Sequence, residues 1–252
     1  MTLLQFKVVP MNTENTPTII LVPGYWLGGW AWDDVVAHLA STGLTALPIT
    51  LPGLESAATK RGGIHLGDHV DAVANAVKAA PGQVCLVAHS GAGALASAVL
   101  DHLSESINHV IYVESGPVAN GTVARPDLAQ DVGEVDLPSW AELEAGGASV
   151  AGLNQDMLRH FQTRALPHPA GPLREPVRLG NPARNQVPAT IVCCSAPSAI
   201  VQQMATGGVA MFAPLLDMEN VTYIDLPTGH WPMWSEPAAL ADVIAQSVSW
   251  DC

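Results

Sequence analysis

Val84-Cys85-Leu86-Val87-Ala88-His89-Ser90-Gly91-Ala92-Gly93-Ala94 carries an apolar run straight into a serine framed by small residues, and then into an alanine-rich segment. The run has strand character, residues 91–103 have helix character, and Ser90 stands at the turn between them. A residue forced into a tight strand-to-helix turn takes a strained backbone, and larger side chains two positions before and after it would collide. Ala88 and Ala92 meet that requirement. Such a turn lifts the hydroxyl above the carboxyl end of a sheet. The amides that follow lie at a helix N-terminus, where partial positive charge favours an oxyanion. The pattern is that of a nucleophile elbow, Ala-x-Ser-x-Ala. A serine that merely caps the helix fits the same local pattern, so the rest of the chain must decide.

Two segments bear on that decision. Upstream, Thr18-Ile19-Ile20-Leu21-Val22 reads as a short buried strand, followed by Pro23-Gly24-Tyr25-Trp26-Leu27-Gly28-Gly29-Trp30-Ala31-Trp32. A glycine-rich turn at a strand end lets backbone N–H groups point at a ligand without obstruction. Near the C-terminus, Val221-Thr222-Tyr223-Ile224-Asp225-Leu226 reads as a strand, and Pro227-Thr228-Gly229-His230-Trp231-Pro232 as the loop after it. Chain order places His230 where a general base belongs. It stands apart from the other histidines because it follows a strand in a Gly-His turn.

Composition narrows the function classes. The chain has 252 residues, nearly half of them apolar, enough for one large core in a single α/β domain. Ten Lys and Arg against 23 Asp and Glu give a formal charge of −13, with no basic cluster. Nucleic acid and anionic membranes are therefore not expected as partners. No apolar stretch reaches the roughly twenty residues of a spanning helix. The N-terminus also lacks a basic region followed by an apolar block, so a cytoplasmic protein is expected. Cys85, Cys193, Cys194 and Cys252 show neither a disulfide framework nor metal-ligand spacing, and they read as buried thiols. No metal and no cofactor is expected.

Short β-branched runs alternate with helical patterns, which argues for a parallel sheet wrapped by helices. The clearest strands are 18–22, 44–49, 83–88, 109–113, 189–195 and 221–226. Leu66, Val70, Val73 and Val77 mark one buried helix face, and Leu240, Val243, Ile244 and Val248 another, after a Glu236-Pro237 entrance. Between about 116 and 186 the chain becomes rich in Pro, Gly and polar residues, with helical pieces near 140–144 and 154–165. A long insertion in a compact domain is usually functional, and this one reads as a cap over Ser90.

Taken together, these residues resemble the α/β-hydrolases, and within them the branch that contains plant methylesterases and hydroxynitrile lyases. The Pro23 to Trp32 segment is similar to that branch's His-Gly-x-x-x-Gly-Gly-Trp-x-Trp loop, with Pro23 replacing histidine. Leu51-Pro52-Gly53 matches its strand-end turn, and Gly229-His230 its histidine loop. The resemblance implies a mostly parallel central sheet with helices on both faces and a small cap inserted after the sixth strand. Residues 1–115 and 187–252 would form the core and 116–186 the cap. It also implies Ser90 as nucleophile, His230 as base, and the Tyr25 and Gly91 N–H groups as oxyanion donors.

In most relatives the acid follows the strand that here spans 189–195, but this chain reads Cys194-Ser195-Ala196-Pro197-Ser198-Ala199-Ile200, with no carboxylate before Asp217. Certain haloalkane dehalogenases and the zearalenone lactonases place the acid one strand earlier, where this chain has Tyr112-Val113-Glu114-Ser115-Gly116. Glu114 is therefore the expected acid. Asp225, within the histidine's own strand, and Glu236, at a helix start, are weaker candidates, and a Ser-His dyad is a further alternative.

Seven tryptophans stand against three tyrosines and three phenylalanines, and Trp26, Trp30, Trp32, Trp231 and Trp234 fall in the two loops flanking the nucleophile. Trp26 and Trp231 are the expected walls of an apolar pocket, whereas Trp30 and Trp32 are expected to fill core. His89 is expected to pack beneath the elbow, and His168 to be a polar surface residue. The expected activity is cofactor-independent hydrolysis of a carboxylic ester or lactone with an apolar or aromatic small-molecule substrate, through an acyl-enzyme. Two alternatives are a hydroxynitrile-lyase-like reaction and a non-catalytic small-ligand receptor. The first is disfavoured because those lyases carry lysine where this chain has Trp231. Oligomeric state is left open, a homodimer being one option.

Overall fold

The computed structural model describes residues 17–248. The N-terminal reading and Cys252 lie outside the described residues. Six strands form one all-parallel sheet: β1 (Thr18–Val22), β2 (Thr45–Pro48), β3 (Val84–His89), β4 (His109–Val113), β7 (Ala189–Cys193) and β8 (Val221–Asp225). Their spatial order is β2-β1-β3-β4-β7-β8. Two-residue strands β5 (Glu134–Val135) and β6 (His168–Pro169) pair antiparallel in a separate ribbon. Counted over the described residues, the strand before the insertion is the fourth.

Alternation along the central strands divides the core between the two faces of the sheet, because side chains of a strand point to opposite sides. Val84, Leu86 and Ala88 of β3 pack on one face with Val110 and Tyr112 of β4. Cys85 and Val87 pack on the other with Ile111 and Val113. The first face is covered by α2 (Leu66–Ala79), α3 (Ala92–Leu103) and α7 (Ser198–Thr206), through Val70, Val73, Val77, Leu95, Val99 and Val201. The second is covered by α1 (Asp33–Ser41) and α9 (Pro237–Val248), through Val35, Leu39, Leu240, Val243 and Ile244. For α2 and α9 these are the helix faces that the spacing of apolar residues predicts. Among the described residues no helix is long and apolar enough to cross a membrane.

The strand order decides where a ligand can enter. From β1 the chain winds outward to β2, then returns past β1 to β3 and continues the opposite way. The loops leaving the carboxyl ends of β1 and β3 therefore diverge and open a crevice at this switch point. Thr18 to Val22 pair in register with Val84 to Ala88, so the Pro23 to Trp32 loop and Ser90 leave the sheet side by side.

The insertion holds α4 (Trp140–Ala145), α5 (Gln155–Arg164) and α6 (Ala170–Arg174) beside the β5–β6 ribbon. It folds back onto the crevice: the Trp26 indole N–H donates to Val135 O at 3.0 Å, and Leu166 N–H to Trp26 O at 3.0 Å. Phe161 of α5 is fully buried against Trp231 and Trp234. Trp32 fills core as expected. Trp30 is partly buried, stacked on Trp234 with the Arg164 guanidinium over its ring.

His168 corrects the sequence reading. Expected on the surface, it is only 2% exposed, with its ring against Tyr25 and His69. The ribbon that carries it is pressed into the crevice, and Trp26 N–H donates to its Nδ1 at 3.3 Å. Burial, with a smaller contribution from His69, pushes its pKa down to about 3, so the ring is neutral.

Candidate active site

Ser90 follows β3 with φ at +53°, and the helix begins with Gly91 at its cap and Ala92 as its first residue. The hydroxyl does not cap that helix. Ser90 Oγ instead lies 2.7 Å from His230 Nε2. Ser90 N–H donates to Val113 O at 3.0 Å, and the Ser115 hydroxyl donates to Ser90 O at 2.5 Å, so the elbow backbone is held from the β4 side. Among the described residues, the non-glycine positions with left-handed backbone are Trp26, Ser90 and Glu114. All three lie at this site, where a rigid surround sustains strain that would otherwise relax.

His230 is placed by three contacts. Its N–H donates to Ser149 O of the insertion at 2.7 Å, and its C=O accepts from His89 Nε2 at 2.7 Å. Its Nδ1 lies 3.3 Å from Glu114 Oε2. Gly229 is required beside it, because a Cβ there would stand 2.3 Å from Ala151 O and 2.6 Å from Ser149 O. Since a carbonyl only accepts, the proton of His89 sits on Nε2. Burial, reinforced by the nearby His230, pushes the pKa of His89 down to about 3, which keeps it a neutral donor. As expected, His89 packs beneath the elbow, but it also holds the histidine loop.

Glu114 leaves β4 with φ at +46°, and its carboxylate accepts four hydrogen bonds. Oε1 takes Cys194 N–H at 2.6 Å and Ser195 N–H at 2.8 Å. Oε2 takes the Ser195 hydroxyl at 2.8 Å and faces His230 Nδ1. Burial opposes its charge, but hydrogen bonds from the His230 and Ser195 side chains and from the two amides hold its carboxyl below the ordinary value. The residues that sequence reading passed over here are Ser195 and Ser149. Ser195 had a legible signal, as the polar residue at the strand end where an acid is expected.

The Asp225 carboxylate stands elsewhere. Asp225 accepts from Ser198 N–H at 2.6 Å and Ser198 Oγ at 3.0 Å, capping the start of α7. The Glu236 carbonyl accepts from Leu240 N–H at the start of α9.

A cavity of about 260 Å³ opens over Ser90 and His230, walled by Tyr25, Trp26, Trp231 and, from the insertion, Leu143 and Gly146 to Ala148. Trp231 is only 3% exposed and packs on Phe161, so its ring is largely core with one edge on the cavity. Among the described residues, neither the Tyr25 nor the Gly91 N–H donates a backbone hydrogen bond elsewhere. Cys193 and Cys194 are buried, and burial raises both thiols, with the Glu114 charge adding to both and Asp225 to Cys193, so neither competes as a nucleophile. Among the described residues, no group of three or more His, Cys, Asp or Glu is placed to hold a metal ion.

The chain as a whole is similar to known hydrolases. A probable hydrolase, R7, of Phoma sp. is 25% identical over 91% of this chain and 97% of its own length. A carbendazim hydrolyzing esterase of Nocardioides sp. is 31% identical over 38% of this chain and 40% of its own. Among solved structures, the methylesterase MES16 from Arabidopsis superposes with a TM-score of 0.72 at 16% identity, over 93% of this chain and 100% of that one. An extracellular alpha/beta-hydrolase from Paenibacillus, described as structurally and functionally homologous to tobacco Salicylic Acid Binding Protein 2, gives 0.71 at 18% identity over 92% and 98%. The family model for alpha/beta hydrolases matches residues 19–243, and the chain belongs to that family.

Proposed function

We propose that this hydrolase cleaves carboxylic esters or lactones of apolar or aromatic small molecules through an acyl-enzyme on Ser90. The observation that carries the reading is the relay from Ser90 Oγ to His230 Nε2 at 2.7 Å, and from His230 Nδ1 to Glu114 Oε2 at 3.3 Å. In that relay the serine hydroxyl donates to Nε2, and Nδ1–H donates to the carboxylate. As Oγ attacks the carbonyl carbon, its proton passes to Nε2 and the imidazolium is stabilised by Glu114. The carbonyl oxygen becomes an oxyanion held by the Tyr25 and Gly91 amides. Collapse breaks the bond to the leaving oxygen, which takes the proton from Nε2. Water then loses a proton to His230 and attacks the acyl carbon, releasing the acid and restoring Ser90.

The relatives support ester chemistry, since they include a carbendazim hydrolyzing esterase, a methylesterase and a pyrethroid hydrolase from Sphingobium faniae. Trp26, Trp231 and Leu143 give the cavity an apolar wall, which favours an apolar substrate. A lyase reaction lacks support because the residue after His230 is the uncharged Trp231. A receptor role would leave the relay without a purpose.

The test is covalent trapping. A fluorophosphonate probe is expected to label the wild-type protein at Ser90, and Ser90→Ala is expected to lose both labelling and p-nitrophenyl ester turnover by about a thousandfold or more while staying folded. Ester turnover that survives in folded Ser90→Ala overturns the mechanism. Saturable ligand binding without labelling points to the receptor instead.

A further inference from the structure

A second cavity lies behind the first. It is small, about 30 Å³, and mostly apolar, with Leu51, Leu66, Leu95 and Val177 in its walls beside His69 and His168. Tyr25 borders both cavities, whereas Gly91 borders only the second, and His230 and Trp231 only the first. The phenol ring lies directly against the elbow: a Cβ on Gly91 would stand 2.2 Å from the Tyr25 ring. That contact demands glycine immediately after the nucleophile. The ring is held by packing against Trp26 and His168, and among the described residues its hydroxyl has no hydrogen-bond partner. Its removal therefore orphans no buried polar group.

Resting on the ester-hydrolase reading, the chemistry assigns directions around Ser90. The leaving oxygen must receive its proton from His230 Nε2, so the alcohol portion occupies the front cavity beside His230 and Trp231. The oxyanion faces the two amides. The acyl substituent takes the remaining direction, away from His230, and meets the Tyr25 ring. A rear cavity of about 30 Å³ holds little more than one water, so it takes no acyl chain while the ring is in place.

We propose that the Tyr25 side chain is the specificity wall of this enzyme: it ends the acyl site, restricts the substrate to esters of short acyl groups, and conceals an apolar extension behind it. The same residue then acts twice, its N–H toward the oxyanion and its ring toward acyl length. Truncating the ring joins the two cavities into one channel lined by Leu51, Leu66 and Leu95.

The experiment is a chain-length series of p-nitrophenyl esters, acetate to octanoate, read as kcat/KM. Wild type is expected to favour acetate over octanoate by about tenfold or more, because each methylene that fails to fit is costly. Tyr25→Ala is expected to shift the octanoate-to-acetate ratio upward by about tenfold or more. Tyr25→Phe, which keeps the ring, should retain the wild-type ratio. Leu66→Phe added to Tyr25→Ala should refill the channel and pull the ratio back. Tyr25→Val supplies the same readout should Tyr25→Ala fail to fold. A fluorophosphonate probe run in parallel separates the two readings. Labelling of Ser90 with an unchanged ratio overturns the wall alone, and absence of labelling in every protein removes the hydrolase reading and the wall with it.

Discussion

The Ser195 hydroxyl donates to Glu114 Oε2 at 2.8 Å, and the Ser195 N–H donates to Glu114 Oε1 at 2.8 Å. Ser195 follows β7, the strand end from which most relatives are expected to present the acid, while Glu114 reaches the same place from the end of β4. The two strands are neighbours in the sheet, with Val113 in register with Val192. A carboxylate moved by one strand therefore still meets His230, and the vacated position is filled by a donor that grips it. The Glu114 carboxylate thus meets the imidazole from the end of β4 and not from the end of β7.

Removing that charge tests the arrangement. Glu114→Gln is expected to keep the fold and to lower kcat by roughly three to four orders of magnitude, because an amide neither stabilises the imidazolium nor enforces its tautomer. Asp217→Asn is expected to leave the rate as it was. The lowered carboxyl pKa has a consequence for stability. A depressed value stabilises the fold above the unfolded carboxyl pKa, and that contribution fades as pH falls through the folded one. Glu114→Gln should lose this part of the acid sensitivity, seen as a smaller fall in Tm on acidification. Full activity in Glu114→Gln would remove Glu114 from the mechanism.

Ser195→Ala removes one of the donors on Oε2 and leaves the two amides on Oε1. Losing a hydrogen bond to a charged group is expected to cost about tenfold in kcat with little change in KM. Ser195→Thr, which restores the hydroxyl, should recover most of it. A loss of thermal stability with kcat intact would show that Ser195 serves the fold and not the orientation of Glu114.

Much of this was legible in the chain because it is local. The elbow is written in consecutive residues from Val84 to Ala94, and the helix faces of Val70, Val73 and Val77 or Leu240, Val243 and Ile244 repeat at the helical period. Long-range pairings were not legible in the same way. Ser195 meets Glu114 because β4 and β7 are sheet neighbours across a long insertion, and nothing in either segment alone states it. His168 sits on a two-residue strand, too short for any periodicity, so its polarity suggested a surface position. Its burial follows from where the insertion folds, which depends on the Trp26 and Val135 contact.

The neutral buried histidines predict a specific acid response. His89 and His168 both have pKa values pushed down to about 3, by burial first and then by His230 and His69 respectively. Unfolded histidine titrates near 6.5, so between about 6.5 and 3 the unfolded chain binds protons that the folded one refuses. Stability is therefore full above about 6.5 and falls as pH drops, by roughly 1.4 kcal/mol per pH unit for each such histidine. His168→Asn, whose Oδ1 can still accept from Trp26 N–H, is expected to flatten this slope in urea titrations across that window. An unchanged slope would mean that His168 does not remain neutral in the fold.

The insertion sets the position of His230. Ser149 O accepts the His230 N–H, while Ala151 O and Ser149 O press on Gly229, so the histidine loop and the insertion fit only through an absent side chain. Gly229→Ala forces a methyl to within 2.3 Å of a carbonyl oxygen, and backbone on one side must retreat. A retreat of the histidine loop lengthens the 2.7 Å Ser90 to His230 contact on which proton transfer depends. A misplacement of about 1 Å is enough for roughly a hundredfold loss of rate. Gly229→Ala is therefore expected to lower kcat about a hundredfold and stability by about 1–3 kcal/mol. Ala151→Gly moves nothing in this contact, since the oxygen involved is backbone, and should leave kcat unaltered. Measured side by side, wild-type kcat in Gly229→Ala would show that the insertion gives way in place of the histidine, and that His230 is held by His89 and Glu114 alone.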